Sequence, residues 1–369
     1  MTLRILIVGA GLAGLALARA LGQRGLQADV VERSSQWPEA GTGLYLPGNA
    51  YRALASLNLH EALSARSFAI EKQRFQNHHG RNLFEVSLQH FWGAPCFGML
   101  RTALHELLRA ETDGTKIRFG TAVDALSQAN HARVTFSDGR TGDYDLVVGA
   151  DGIRSTVRRH LFAGSAPKPV GQQSWRFLVK GFEEINSWSV MLGSGKAFLT
   201  VPVGGGLIYC YADINTTEPF DLTGGDVTRL QALFAEFGNP VSQILKRLDA
   251  VPNIYFSPIE EVTHRPWVKG RVVLIGDAAH ATSPNMAQGV AMAIEDALVL
   301  AGLISTGQPL EQSLPAFESR RAPRVDWIRK QSHRRDRTRS LPGPVRDIVL
   351  RAAGTRIYES NYRPLLEEP

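Results

Sequence analysis

Gly9-Ala10-Gly11-Leu12-Ala13-Gly14 decides the fold. It follows an apolar, β-rich run from Ile5 to Val8 and opens a helical pattern from Leu15 to Leu21, the strand–turn–helix setting in which a GxGxxG spacing has meaning. In such a turn Gly9 permits the tight bend, Gly11 lets a pyrophosphate approach the backbone, and Gly14 lets helix and strand pack closely. Leu12 and Ala13 begin the helix, whose unpaired N–H groups and positive dipole end face the phosphates. A second strand, Ala28 to Val31, ends in Glu32, with Arg33 beside it. Glu32 lies at about the twenty-residue spacing of an acid that accepts hydrogen bonds from an adenosine ribose, which favours an unphosphorylated 2′-OH. The pattern predicts a Rossmann-like dinucleotide-binding domain. It does not separate FAD from NAD.

Two later signatures do. Gly149-Ala150-Asp151-Gly152 follows the strand Leu146 to Gly149, and Gly276-Asp277-Ala278-Ala279-His280 follows the buried-looking strand Arg271 to Ile275. A carboxylate at a strand end, as at Asp277, can accept hydrogen bonds from polyol hydroxyls or cap a helix. Asp151 either supports the cofactor or closes a turn. His280 is expected to be a packed, hydrogen-bonded residue rather than a base. In this order, GAGLAG, GADGIRSTVR (149–158) and GDAAHATSP (276–284) resemble the single-component, group A FAD-dependent aromatic monooxygenases, typified by p-hydroxybenzoate and salicylate hydroxylases. The likeness runs from residue 1 to about 340, through Gly43-Leu44-Tyr45-Leu46, Asn49-Ala50, Arg101 and Glu295-Asp296-Ala297.

The resemblance implies an α/β (α+β overall) chain: a Rossmann-like FAD-binding domain with an inserted mixed or antiparallel-sheet substrate domain, p-hydroxybenzoate hydroxylase-like. It implies non-covalent FAD, with Asp277 on the ribityl chain and Arg101 on the flavin side, where a guanidinium suits phosphate or carbonyl oxygen. Gly43, Asp151, Gly289 and Val290 join the cofactor set. Pro284 to Gly289 matches the family's Pro-x-x-Gly-Gln-Gly turn except that Ala287 replaces a glycine, which bears on a backbone that L-residues adopt poorly at positive φ. NADH or NADPH then reduces the flavin, the reduced flavin captures O2 as a C4a-hydroperoxide, and a small aromatic or heteroaromatic ring is hydroxylated. A flavin reductase or oxidase on the same scaffold, and a noncatalytic flavoprotein that sequesters an intermediate, are the alternatives. No Trp-x-Trp-x-Ile-Pro halogenase motif surrounds Trp188.

Composition agrees with a soluble enzyme of 369 residues, 44% apolar, enough for one large core or two joined ones. The stretch Leu3 to Leu21 is used by the nucleotide fold rather than reading as a signal peptide, and no run reaches membrane-spanning length, so a cytoplasmic monomer or homodimer is expected. Cys96 and Cys210 are far apart and lack metal-ligand spacing, so neither a disulfide framework nor a metal site is expected. Of the net charge of +6, much sits between Arg320 and Arg339, which holds nine Lys or Arg and only Asp326 and Asp336 as acids. The expectation there is a helix with a solvated basic face. Trp327 stands alone, so no stacking platform for nucleic acid is present.

The organisation expected is a discontinuous FAD domain (1–69, 101–169, 266–340), a substrate domain (70–100, 170–265) and a C-terminal extension (341–369). Within the latter sheet, alternation places Leu207, Tyr209, Tyr211 and Asp213 on one face and Ile208, Cys210 and Ala212 on the other. Tyr209 and Tyr211, joined by Tyr45, are candidates to stack or polarise a ring; ordinary sheet packing is the alternative. Arg176 is a candidate to hold a substrate carboxylate or to form a structural ion pair. Pro284 completes the candidate substrate set. No catalytic base is assigned.

Overall fold

The computed structural model describes residues 3–37, 41–110, 115–128, 131–162, 164–218, 220–221 and 225–369. Its first sheet has the strand order Val268–Lys269, Val272–Leu274, Leu146–Gly149, Ile5–Val8, Ala28–Val31, Lys116–Arg118. All neighbours are parallel except the first pair. Ile5–Val8 and Leu146–Gly149 are buried along their whole lengths, as strands covered on both faces must be. The helix Leu12–Gly22 packs against the long helix Gly289–Ile304 over this sheet. Both helices start at the sheet's ligand-binding edge, beyond the carboxyl ends of the strands.

The second sheet is mixed and seven-stranded: Tyr255–Glu261, Lys168–Lys180, Leu207–Asn215, Lys196–Gly204, Trp188–Leu192, Lys72–Asn77, Asn82–Ser87. Only Trp188–Leu192 and Lys72–Asn77 run parallel. Period-two alternation gives it two different faces. On one, Trp175, Phe177, Ile208, Cys210 and Ala212 form a separate apolar core with the helices Val227–Leu233 and Val241–Leu245. The other carries Tyr209, Tyr211, Trp188 and Val190 and joins the main core.

A small sheet, Gly43–Leu46, Phe97–Leu100 and Phe68–Ala69, lies between the two. It rests on the tyrosine face, where a Cβ at Gly43 would run into the Tyr209 side chain. A hairpin turning at Ser137-Asp138-Gly139 pairs Ala132–Phe136 with Thr141–Tyr144, with Val123–Gln128 as a third strand. The chain ends in two helices, Leu310–Arg339 and Gly343–Tyr362, and the second packs across the edge strand Asn82–Ser87. No helix among the described residues is long and apolar enough to cross a membrane, and no cluster of His, Cys, Asp or Glu among them could hold a metal ion.

Candidate functional site

A cavity of about 830 Å³ runs from the first glycine turn to the seven-stranded sheet. A smaller cleft of about 400 Å³, beside Trp37, Glu106 and Arg109, shares no lining residue with it.

At the cofactor end the glycines act from two sides. Gly9 holds φ +105°, and a Cβ there would meet the Ala150 carbonyl at 2.6 Å, so the turn is tight against the neighbouring strand. A Cβ at Gly14 would strike the Gly9 carbonyl. Gly11 is the reverse: nothing lies within 4 Å of its would-be Cβ, and with Leu12 and Ala13 it lines the cavity at a helix N-terminus. Gly289 is equally bare and, with Val290, presents the N-terminus of Gly289–Ile304 to the same space. Two converging, side-chain-free helix ends fit a pyrophosphate and an electron-rich ring.

Polar groups complete this end. Asp277 is exposed to the cavity and its carboxylate has no partner among the described residues; Gly276, not Asp277, is the N-cap of the short helix Asp277–His280. Arg101 opens the helix Arg101–Arg109, lines the cavity and likewise forms no ion pair among the described residues. Glu32 accepts hydrogen bonds from the Ala10 and Ser34 amides, both 2.9 Å, which fixes its carboxylate beside the glycine turn; Arg33 is exposed. Asp151 does not line the cavity. Its carboxylate accepts from the Ser155 hydroxyl at 2.5 Å and from the Thr156 and Val157 amides, so it closes the turn and caps the helix Thr156–Leu161. Burial pushes its pKa up against these hydrogen bonds. Ala287 occupies the left-handed region, φ +50° and ψ +38°, the conformation its family's glycine would take without strain.

The opposite end is aromatic. Tyr45, Tyr209 and Tyr211 all line the cavity with Pro284, Phe75, Phe84 and Trp188. Burial keeps the three phenols un-ionised: it pushes Tyr209 up to about 12 and the other two well above their ordinary value. The Tyr45 hydroxyl stands beside the Cys96 thiol. The Tyr211 hydroxyl is buried without a partner among the described residues. Arg176, in register with Tyr211, holds its guanidinium 5.7 Å from that ring and makes no ion pair among the described residues.

One wall of the cavity was not foreseen. The C-terminal helix contributes Arg346, Leu350, Gly354, Ile357, Tyr358 and Asn361 to it. Arg346 is buried and donates to the Gly193 and Leu192 carbonyls, which docks the helix on the seven-stranded sheet.

The basic segment forms the expected helix with Arg320, Lys330, Arg334 and Arg337 exposed, but other arginines of it turn inward. Arg321 is fully buried and bonds Asp296 (2.7 Å) and Glu295 (2.8 Å); Arg324 bonds Glu295 as well. Arg339 pairs with the buried Asp213, and Arg335 donates to the Asn285 carbonyl and the Tyr362 hydroxyl. The partner acids lie on other elements, far away in sequence. Asp296 further accepts from the Gly276 amide and contacts His280 Nε2 at 2.6 Å, so His280 has the structural role expected of it. Glu295 accepts from Asn49, which bonds Gln288, the N-cap of Gly289–Ile304. One buried network thus ties the turn at Gly276 to the turn at Gln288.

Known proteins share this arrangement. A family model described as an FAD binding domain matches residues 2–190 and 249–332. The chain is 38% identical over 337 residues to 2-heptyl-3-hydroxy-4(1H)-quinolone synthase of Pseudomonas aeruginosa, spanning 89% of this chain and 87% of that protein. It is 32% identical to 3-amino-4-hydroxybenzoate 2-monooxygenase of Streptomyces cremeus, over 95% and 92%. The crystal structure of Klebsiella pneumoniae HpxO complexed with FAD and uric acid superimposes with a TM-score of 0.82, covering 99% of this chain and 93% of that one at 24% identity, a likeness of fold. The chain belongs to the FAD-binding-domain family of group A FAD-dependent aromatic monooxygenases, and FAD is its cofactor.

Proposed function

We propose that the protein hydroxylates an aromatic or heteroaromatic ring, using O2 and either NADH or NADPH. The observation that carries this reading is the continuity of one cavity, with bare helix ends, Asp277 and Arg101 at one end and an aromatic wall bearing unpartnered polar atoms at the other. Bound FAD supplies the redox chemistry, accepting reducing equivalents and activating O2 for transfer of one oxygen atom.

The chain's own residues do the rest. The N-terminus of Gly289–Ile304 and the Arg101 guanidinium favour negative charge on the reduced cofactor. Tyr45, Tyr209 and Tyr211 give a ring a flat wall, and the free Tyr211 hydroxyl and Arg176 guanidinium can fix its orientation. The apolar lining from Phe75, Val190 and Leu199 keeps water from the reacting centre.

The test is oxidation of NADH and NADPH by FAD-loaded protein against a panel of ring compounds, with product mass after reaction under 18O2. Ring-stimulated oxidation with one labelled oxygen in the product is expected. Stimulated oxidation that yields only H2O2, or none with any ring, would overturn the reading. Replacing each tyrosine with Phe should keep FAD and packing. Wherever the hydroxyl orients the ring, it should also raise the H2O2 released per reduced nicotinamide consumed.

A further inference from the structure

Gln73 and Trp188 stand beside one another on the cavity face of the substrate sheet, because the parallel register sets Trp188 against Gln73 and Val190 against Phe75. Both are more than nine-tenths buried, at 2% and 8% exposure. Among the described residues, Gln73 Oε1 has no donor and Trp188 Nε1 has no acceptor. Burying an acceptor and a donor unpaired is costly, and native chains rarely do so without a reason.

Their surroundings define what would pair with them. Phe75 and Phe84 stack at 4.2 Å and 7°, and the Trp188 ring lies 5.2 Å from Phe75 and 6.3 Å from Tyr45. These are flat, apolar walls suited to a planar ring. A wall that presents an acceptor beside a donor is complementary to a ring that presents a donor beside an acceptor.

We propose that Gln73 and Trp188 select a heteroaromatic lactam, whose ring N–H donates to Gln73 Oε1 and whose adjoining carbonyl accepts from Trp188 Nε1. The assignment rests on the ring-hydroxylase reading above and narrows its substrate class. An N-alkylated lactam keeps the carbonyl but leaves Gln73 Oε1 buried and unpaired, so the site discriminates against it.

The experiment titrates the FAD-loaded protein with 2(1H)-quinolone, 1-methyl-2-quinolone and 2-naphthol, following the flavin absorbance for Kd and assaying oxygen incorporation for each. The parent is expected to bind 2(1H)-quinolone at least tenfold more tightly than its N-methyl analogue. In Gln73→Leu that ratio should fall below about threefold, whereas Trp188→Phe, which removes the donor to a carbonyl both lactams carry, should weaken both several-fold and keep the ratio. A purely steric penalty on the methyl group would survive Gln73→Leu, so an unchanged ratio there overturns the assignment. FAD content and melting temperature show that each variant is folded; should Trp188→Phe lose FAD, Gln73→Leu and the matched pair in the parent still decide. Oxygenation of 2-naphthol without any lactam preference overturns the lactam assignment and leaves the hydroxylase reading standing. Lactam-selective binding with no oxygen transferred to any ring overturns the hydroxylase reading alone. Failure of all three probes to bind overturns the assignment.

Discussion

Ala287 holds a left-handed conformation immediately before Gln288 and the cavity-facing end of the helix Gly289–Ile304, a conformation glycine takes without strain. A Cβ in that region costs about 1–2 kcal/mol, partly offset because glycine loses more entropy on folding. Ala287→Gly is therefore expected to stabilise the protein by about 0.5–1 kcal/mol in urea denaturation, with FAD retained. Asp277 carries the opposite expectation. Its exposed carboxylate does not cap its helix, and a charge-assisted hydrogen bond to a ligand is worth on the order of 1.5–3 kcal/mol. Asp277→Ala should weaken FAD binding by roughly ten- to hundredfold, read from flavin fluorescence on dilution, while the melting temperature of the apoprotein stays put. Both residues were legible because each sits in a short local motif. Asp151 was only half legible: its strand-end position allowed two roles, and the hydroxyl and amides that claim its carboxylate became visible only with the helix Thr156–Leu161 in place.

The tyrosine face of the strand Leu207–Asn215 could be read from period-two alternation, since one face needed only to be apolar for the other to be assigned. The helix Gly343–Tyr362 could not. Besides Asn361, its buried positions are Arg346, Leu350, Gly354, Tyr358 and Tyr362, an unbroken i, i+4 ladder, but an arginine and a glycine interrupt the hydrophobic pattern that would reveal it. Exposed Val345, Ile348 and Val349 blur the contrast further. Gly354 is where the helix crosses Phe84, whose ring occupies the place a Cβ would need. Gly354→Val should push the helix off the edge strand at a cost of about 1–3 kcal/mol. The expected signature is a raised KM for the ring substrate with FAD stoichiometry preserved, because the glycine turns, Glu32, Arg101 and Asp277 all lie on other elements. Loss of FAD in that variant would show that the helix also shapes the cofactor end.

Across the whole molecule, the buried network around Arg321 joins the helices Gly289–Ile304 and Leu310–Arg339 to the turns at Gly276 and Gln288. Burial alone would raise the Asp296 pKa, but His280 and Arg321 outweigh it and hold the group below its ordinary value of 3.8. Its stabilising contribution is therefore full above that value and is lost only as the pH falls through the lowered one. Asp296→Asn should cost about 3–5 kcal/mol at neutral pH, since it leaves Arg321 partly unpaired in the interior. It should also flatten the acid limb of stability against pH, measured by denaturation from pH 7 down to pH 3. This network was illegible beforehand for a plain reason. A run of arginines reads as solvated until the fold delivers Glu295, Asp296 and Asp213 from other elements.

The C-terminal wall also has a consequence in time. Gly9 to Gly14, Glu32, Arg101, Asp277, Gly289 and Val290 all precede residue 291, whereas the wall drawn across the chamber comes from residues 346 to 361. A chain emerging from the ribosome presents the cofactor trough before that wall exists. In the order of synthesis, the residues that line the trough therefore all precede those that wall off the space left over for the ring.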